Sequence, residues 1–329
     1  MKIGIVGAGN VGASAAYLLA IQRLAGEIAL VDIAADLAKA RAIDISQAAC
    51  VFDLAVRVSG GADYAALADA DIVVITAGLA RKAGQSRDEL ASANAAIVAN
   101  AARETAKYAP NSVIIVVTNP LDLMTFVAFK ASGFEAERVV GMAGELDSAR
   151  LKFEIREASG EAISNLNSVA CIGLHGEGMV FPEQTISNLI SQASQARLCD
   201  EGCKRPLDPS KETIRDLART EFSGFDISNL NEIKLRAQNG GAKIVSLAGS
   251  SAFYAPAAGI VKTCLALGSE EGERLCCCVV ADGVAMGREA IVAKGGVKRI
   301  LTSNLNSAEE AQMRANKAKI CAQISNLKL

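Results

Sequence analysis

The chain contains one histidine, His175, set in Gly173-Leu174-His175-Gly176-Glu177-Gly178, where the glycines leave the imidazole open to a ligand. Imidazole is the side chain best suited to passing a proton near neutral pH. Any such chemistry here must use His175, and a multi-histidine metal site of the H-E-x-x-H kind is excluded, so no metal is expected. Asp147 and Arg150 stand three apart in Gly144-Glu145-Leu146-Asp147-Ser148-Ala149-Arg150. A helix would put them on one face, as a surface ion pair or as part of a site. Arg81 and Arg87 flank a glycine-containing stretch that reads equally as a solvated basic loop and as a loop closing over an anion. Asn119, before Pro120, offers an amide to a ligand or to a turn.

A second constellation concerns phosphates. Gly7, Gly9 and Gly12 form G-x-G-x-x-G between an apolar run and a helical pattern, and Asp32 ends the next apolar run 20 residues past Gly12. The first glycine permits the tight turn, the second lets a pyrophosphate approach the backbone, and the third lets helix and strand pack closely. The helix N-terminus then faces the phosphates. Asp32 can accept hydrogen bonds from a ribose 2′-hydroxyl and would repel a 2′-phosphate, which favours NAD over NADP.

These residues need a scaffold. Apolar runs at 2–6, 28–31, 71–75 and 112–117 alternate with helical stretches, the clearest at about 88–108. Uninterrupted β-branched runs of this kind fit strands buried on both faces of a parallel sheet. Ser86 and Glu89 suggest a capping box that starts the 88–108 helix. Beyond about residue 145 the pattern changes. Helices are expected from 145 toward 158 and at 209–220, 230–238, 241–267 and 307–326, with strands at 168–173, 274–281 and 289–292. The fold class is therefore α/β: an N-terminal Rossmann-type doubly wound parallel sheet over 1–145, then an α+β domain over 146–329, the part that contains Asp147, Arg150 and His175.

The remaining composition narrows the function. The 329 residues carry 34 Lys plus Arg against 36 Asp plus Glu, a net charge of −2 that provides no basic footprint for nucleic acid. The uncharged stretches 3–22 and 244–261 are interrupted by Gly, Ser, Asn or Pro, so no membrane span is expected. Nine cysteines cannot all pair within the chain, and they read as free thiols in a reducing, cytoplasmic setting.

The ordered set of Gly7–Gly12, Asp32, the Arg81/Arg87 loop, Asn119-Pro120, Asp147-Ser148-Ala149-Arg150 and His175-Gly176 resembles the lactate/malate dehydrogenase family. Its likeness is greatest to the bacterial malate enzymes that are close to lactate dehydrogenases. The resemblance is dense to about residue 180. It is weak over 182–215 and resumes at 240–245, 251–256 and Gly283-Val284. It implies NAD as cofactor, held by Gly7, Gly9, Asn10, Val11, Gly12, Asp32, Asn94, Val117 and Asn119. It implies His175 as proton donor and acceptor oriented by Asp147, Arg150 as a fork for the substrate's C1 carboxylate, and Arg87 as the group that polarises the carbonyl, with Asn119 also on the substrate side. Arg81 stands where the family's lactate enzymes usually carry Gln, and would pair with a distal carboxylate. The implied substrate is a small dicarboxylate, malate or oxaloacetate, and the implied assembly a homodimer or homotetramer. A lactate or other 2-hydroxy-acid dehydrogenase and a non-catalytic NAD-binding protein are the alternatives. A short-chain-type dehydrogenase would resemble Tyr-x-x-x-Lys, which none of the tyrosines begins. Departures from the family are Ala80 and Ala83 where prolines are usual, Glu177 where Asp is usual, and Val180-Phe181-Pro182 in place of Val-Pro.

Overall fold

The computed structural model describes residues 1–79, 87–159, 169–183, 186 and 230–327. The first half alternates strand and helix: β1 (Lys2–Val6), α1 (Asn10–Ile21), β2 (Glu27–Val31), α2 (Ala35–Val51), β3 (Arg57–Gly61), β4 (Ile72–Ile75), α3 (Arg87–Tyr108), β5 (Val113–Val116), α4 (Leu121–Ser132) and β6 (Val139–Gly141). These six strands pair in parallel in the order 3-2-1-4-5-6, the arrangement of dinucleotide-binding sheets. Every residue of β4 and β5 is buried, because helices cover both faces. Ile72 and Val74 pack with Ile3, Ile5, Leu19 and Ile260 on one face, and Val73 and Ile75 with Val98, Met124 and Val127 on the other.

The described remainder contains α5 (Gly144–Ser159), the short pair β7 (Ile172–Gly173) and β8 (Met179–Val180), α6 (Leu230–Ala248), α7 (Tyr254–Gly268), β9 (Glu273–Ala281), β10 (Val284–Ala293), β11 (Gly296–Ile300) and α8 (Ser307–Asn326). β9 joins β6 antiparallel, pairing Val140 with Val279 and Gly141 with Cys278. One sheet therefore runs from the first half of the chain into the second. Burial pushes the thiols of Cys276 and Cys264 up to about 11 and about 12, so both stay protonated.

Three expectations need adjustment. The helices anticipated at 230–238 and 241–267 divide elsewhere: α6 runs through Gly240-Gly241 and ends at Ala248. The break falls where Gly249 takes a left-handed φ of 67° and returns its N–H to Val245 O, an ordinary glycine stop. Among the described residues of the anticipated 168–173 strand, only Ile172–Gly173 pair. The strand at 289–292 is the end of the longer β10, turned back from β9 at Asp282-Gly283, both of which have positive φ as a tight hairpin demands. The expected 209–220 helix, Ser86 of the capping box, Cys199 and Cys203 lie outside the described residues. No described helix is long and apolar enough to cross a membrane.

The seam between β6 and β9 depends on close approach. A Cβ on Gly141 would stand 2.7 Å from Cys278 Cβ and overlap Thr125 Oγ1. Gly141→Ala should therefore cost about 1–3 kcal/mol, as overpacking of a dense core does. Denaturant titration checks this, and wild-type stability would contradict it.

Candidate active site

The strand ends of the parallel sheet gather the dinucleotide residues. Gly7 follows β1 at φ 109° with its N–H on Val31 O (2.7 Å). A Cβ on Gly12 would overlap the Gly7 carbonyl, and one on Gly7 would stand 2.7 Å from Ala77 N, so both glycines are sterically required. Gly9 differs: nothing lies within 4 Å of where its Cβ would be. It precedes α1, which has no side-chain cap and no acidic residue in its first turn. Its free N–H groups and open approach suit a pyrophosphate. Asn10 is exposed beside it, and Val11 packs on the core.

Asp32 directly follows β2 and accepts the N–H of Ala8 (2.7 Å) and of Ala34 (2.9 Å). The first bond ties the acid to the glycine turn, and each carboxylate oxygen keeps a lone pair for a ribose hydroxyl. Beside it Ile33 is 99% exposed, an apolar surface at the edge of the same strand end. This chain's residues thus fit an NAD molecule.

Asn94 holds the neighbouring loops together. It is 1% exposed, its Oδ1 accepts Leu79 N–H (2.8 Å), and its Nδ2 donates to Asn119 O (2.7 Å) and Leu79 O (3.3 Å). With both amide hydrogens used, it clamps the loops after β4 and β5 together. Thr118 reinforces the clamp by donating to Ala77 O (2.7 Å). Asn119 itself is exposed, and Val117 packs on the core.

The proton-transfer residues come from the other half of the chain. α5 follows β6 and carries Asp147 and Arg150 one turn apart. Asp147 Oδ2 lies 2.8 Å from His175 Nδ1, and its Oδ1 lies 3.1 Å from Arg150 Nη1. Asp147 is buried, while the His175 side chain keeps 19% exposure. Ser148 fixes the register of the two segments. Its hydroxyl donates to Gly144 O (2.6 Å) and accepts Cys171 N–H (2.8 Å), just before β7. Gly240 and Gly241 of α6 make room for the guanidinium: a Cβ on Gly241 would stand 3.1 Å from Arg150 Nη2. Burial works against a charged imidazole, but the Asp147 carboxylate, with Asp122 behind it, outweighs this and raises the pKa of His175.

Asp122 escaped sequence reasoning. It lies in the first turn of α4, and its Oδ2 accepts the backbone N–H of His175 at 2.8 Å, while its buried Oδ1 meets no hydrogen-bond geometry among the described residues. Burial pushes its pKa up to about 6, against the nearby His175 N–H and imidazole, which favour the anion. The available signal was a single acid inside the apolar run Leu121-Asp122-Leu123-Met124. Asn119, Asp122 and His175 line one cleft of about 780 Å³, together with Lys319 and Gln323 of α8. Arg81 lies outside the described residues, as does the side chain of Arg87, whose backbone opens α3.

Comparison with known proteins agrees with this arrangement. Residues 1–141 match the NAD-binding domain of lactate/malate dehydrogenases, and residues 207–328 match their α/β C-terminal domain. A malate dehydrogenase of Pelodictyon phaeoclathratiforme is 37% identical over 334 residues, covering 99% of this chain and 98% of that one. The structure of Archaeoglobus fulgidus malate dehydrogenase in complex with NADH superposes with a TM-score of 0.81 at 30% identity, with each chain covered in full. A lactate dehydrogenase from a Medee basin deep-sea metagenome library gives 0.80 at 25% identity, covering 98% of each chain. The near-equal scores mean that the backbone alone does not distinguish the two substrates. By sequence match over nearly its whole length, by strand order and by the placement of its site residues, this chain belongs to the lactate/malate dehydrogenase family.

Proposed function

We propose that this chain is an NAD-dependent malate dehydrogenase that interconverts (S)-malate and oxaloacetate, with His175 as proton donor and acceptor. The observation that carries the reading is the only histidine of the sequence held at 2.8 Å against a buried carboxylate on the wall of a cleft. The relatives named above support malate as the substrate.

With Nδ1 committed to Asp147, Nε2 is the ring nitrogen left for substrate. Reduction of a 2-oxo acid places negative charge on the carbonyl oxygen, and a charged His175 supplies the proton that neutralises it. In the reverse direction, neutral His175 takes that proton from malate. The chemistry that NAD supplies when bound is the hydride exchanged with C2 of the substrate; Gly7, Gly9, Gly12 and Asp32 would hold it. Arg150 presents a planar fork for the C1 carboxylate, Arg87 stabilises charge developing on the carbonyl oxygen, and Arg81 pairs with the distal carboxylate. Pyruvate would leave the Arg81 guanidinium without its partner in a closed site, a repulsive term against the wrong substrate. Residues 1–145 form the cofactor-binding part and 146–329 the part that supplies Asp147, Arg150 and His175. The protein works in the cytoplasm as a homodimer or homotetramer. Exposed apolar side chains on α2, α5 and α6, among them Ile43, Phe153, Leu235 and Leu247, support a second copy as their cover.

Two experiments test the assignment. Purified protein should oxidise NADH with a higher kcat/KM for oxaloacetate than for pyruvate, and Arg81→Gln should shift the preference toward pyruvate by at least about tenfold, the scale of one lost charged hydrogen bond. A wild-type preference for pyruvate would contradict the reading. The second is the pH profile. The pKa of His175 is raised above the ordinary value of about 6.5, so the charged form persists above that pH. Oxaloacetate reduction should therefore fall only as pH rises past the raised pKa, while malate oxidation rises over the same interval. Parallel profiles in the two directions would contradict it.

A further inference from the structure

The turn that carries His175 is backed by the C-terminal helix. Glu309, Asn316 and Lys319 of α8 are spaced by seven and three residues, which places them on one helix face. They meet three successive points of the 177–183 segment. Lys319 Nζ is 3.6 Å from Glu177 Oε2, Asn316 Nδ2 donates to Gly178 O at 2.7 Å, and Glu309 Oε1 accepts the N–H of Glu183 at 2.8 Å. Glu177, one methylene longer than the family's usual Asp, is the residue that reaches Lys319.

The middle contact differs in kind. Asn316 is 2% exposed, whereas its inward neighbours on the helix, Met313 and Ile320, are apolar members of the core. A buried amide is costly unless bonded, and this one is: Gln312 Nε2 donates to its Oδ1 at 3.2 Å. Its slot exists because two residues lack side chains. A Cβ on Gly178 would stand 2.7 Å from Asn316 Oδ1, and one on Gly173 would stand 2.8 Å from its Nδ2. Gly178 O also accepts Leu174 N–H at 3.1 Å, the bond that closes the turn around His175. The amide from α8 and the turn closure thus share one acceptor, three residues from the imidazole. On the opposite side Asp122 holds the His175 N–H.

We propose that Asn316 is a positioning residue for proton transfer: by pinning Gly178 O from α8 it fixes the turn that aims His175 Nδ1 at Asp147 Oδ2. The inference rests on the His175–Asp147 reading of the function above. The decisive variant is Asn316→Leu. It removes the donor, keeps the branch at Cγ and leaves Gly178 O bonded to Leu174; its methyls are bulkier than the amide in this slot, so some loss of Tm accompanies it. Asn316→Ala is the second variant, and Met313→Ala the packing control on the same helix face.

With one histidine in the chain, ring-carbon NMR of untagged, isotopically labelled protein reports the titration of His175 without overlap. In Asn316→Leu and Asn316→Ala, the His175 pKa should fall toward the ordinary value of about 6.5. kcat should drop roughly tenfold, within what an ångström of misplacement can cost, with KM for oxaloacetate changed less than about twofold. Met313→Ala should lower Tm and leave the titration in place. The inference is overturned if the Asn316 variants titrate and turn over as wild type does, if kcat falls with no change in titration, or if Met313→Ala moves the titration equally. His175→Asn, assayed alongside, separates this from failure of the underlying reading: normal turnover in that variant would remove the dyad itself.

Discussion

Asp147 is an acidic side chain taken almost wholly out of water, and a charge in that position has to be paired. Its two oxygens are divided between His175 and Arg150. That division sets the orientation of the imidazole, favours its charged form and lines up the guanidinium one helical turn away. Breaking either half would leave a buried charge short of a partner, so the rest of the fold serves to keep both distances fixed.

Several long-range features can be understood as supports for that carboxylate. β9 pairs with β6, which feeds directly into α5, and Glu145 at the head of α5 accepts the N–H of Cys276 in β9 at 2.8 Å. Ser148 joins α5 to the segment entering β7. Asp122 reaches across from α4 to the backbone of His175, tying the first turn of α4 to the turn after β7. The cofactor side and the proton side are therefore mechanically continuous: Asn94 clamps the loop carrying Asn119, α4 starts two residues later, and its first turn holds His175.

Much of this was legible from residue types. The glycine motif, Asp32 and the β-branched runs anticipated the parallel sheet, as strands buried on both faces do; α8 covers the expected span 307–326, and the structure adds a capping box of Asn306 and Glu309 at its start. β3 was not visible: it reads Arg-Val-Ser-Gly-Gly at a sheet edge, where pairing with β2 supplies what side-chain propensity does not. β6, three residues long, is likewise made by its neighbours. Gly240-Gly241 lies inside α6 although glycine is a poor helix former, and a Cβ on Gly241 would crowd Arg150 Nη2 at 3.1 Å. Asn94 came from the family resemblance, and residue type alone does not show that its amide also ties the loops after β4 and β5 together. Asp122, Ser148 and Asn316 act through backbone partners 53, 23 and 138 residues away, separations that no local pattern encodes.

The account stands on one imidazole performing the proton transfer, and the sequence provides no second histidine to obscure the outcome. Titrating the enzyme with a histidine-selective acylating reagent measures this most directly. Turnover should disappear in step with modification of a single group per chain, and malate together with NAD should protect that group. Substantial malate oxidation remaining after His175 is fully modified would contradict the account.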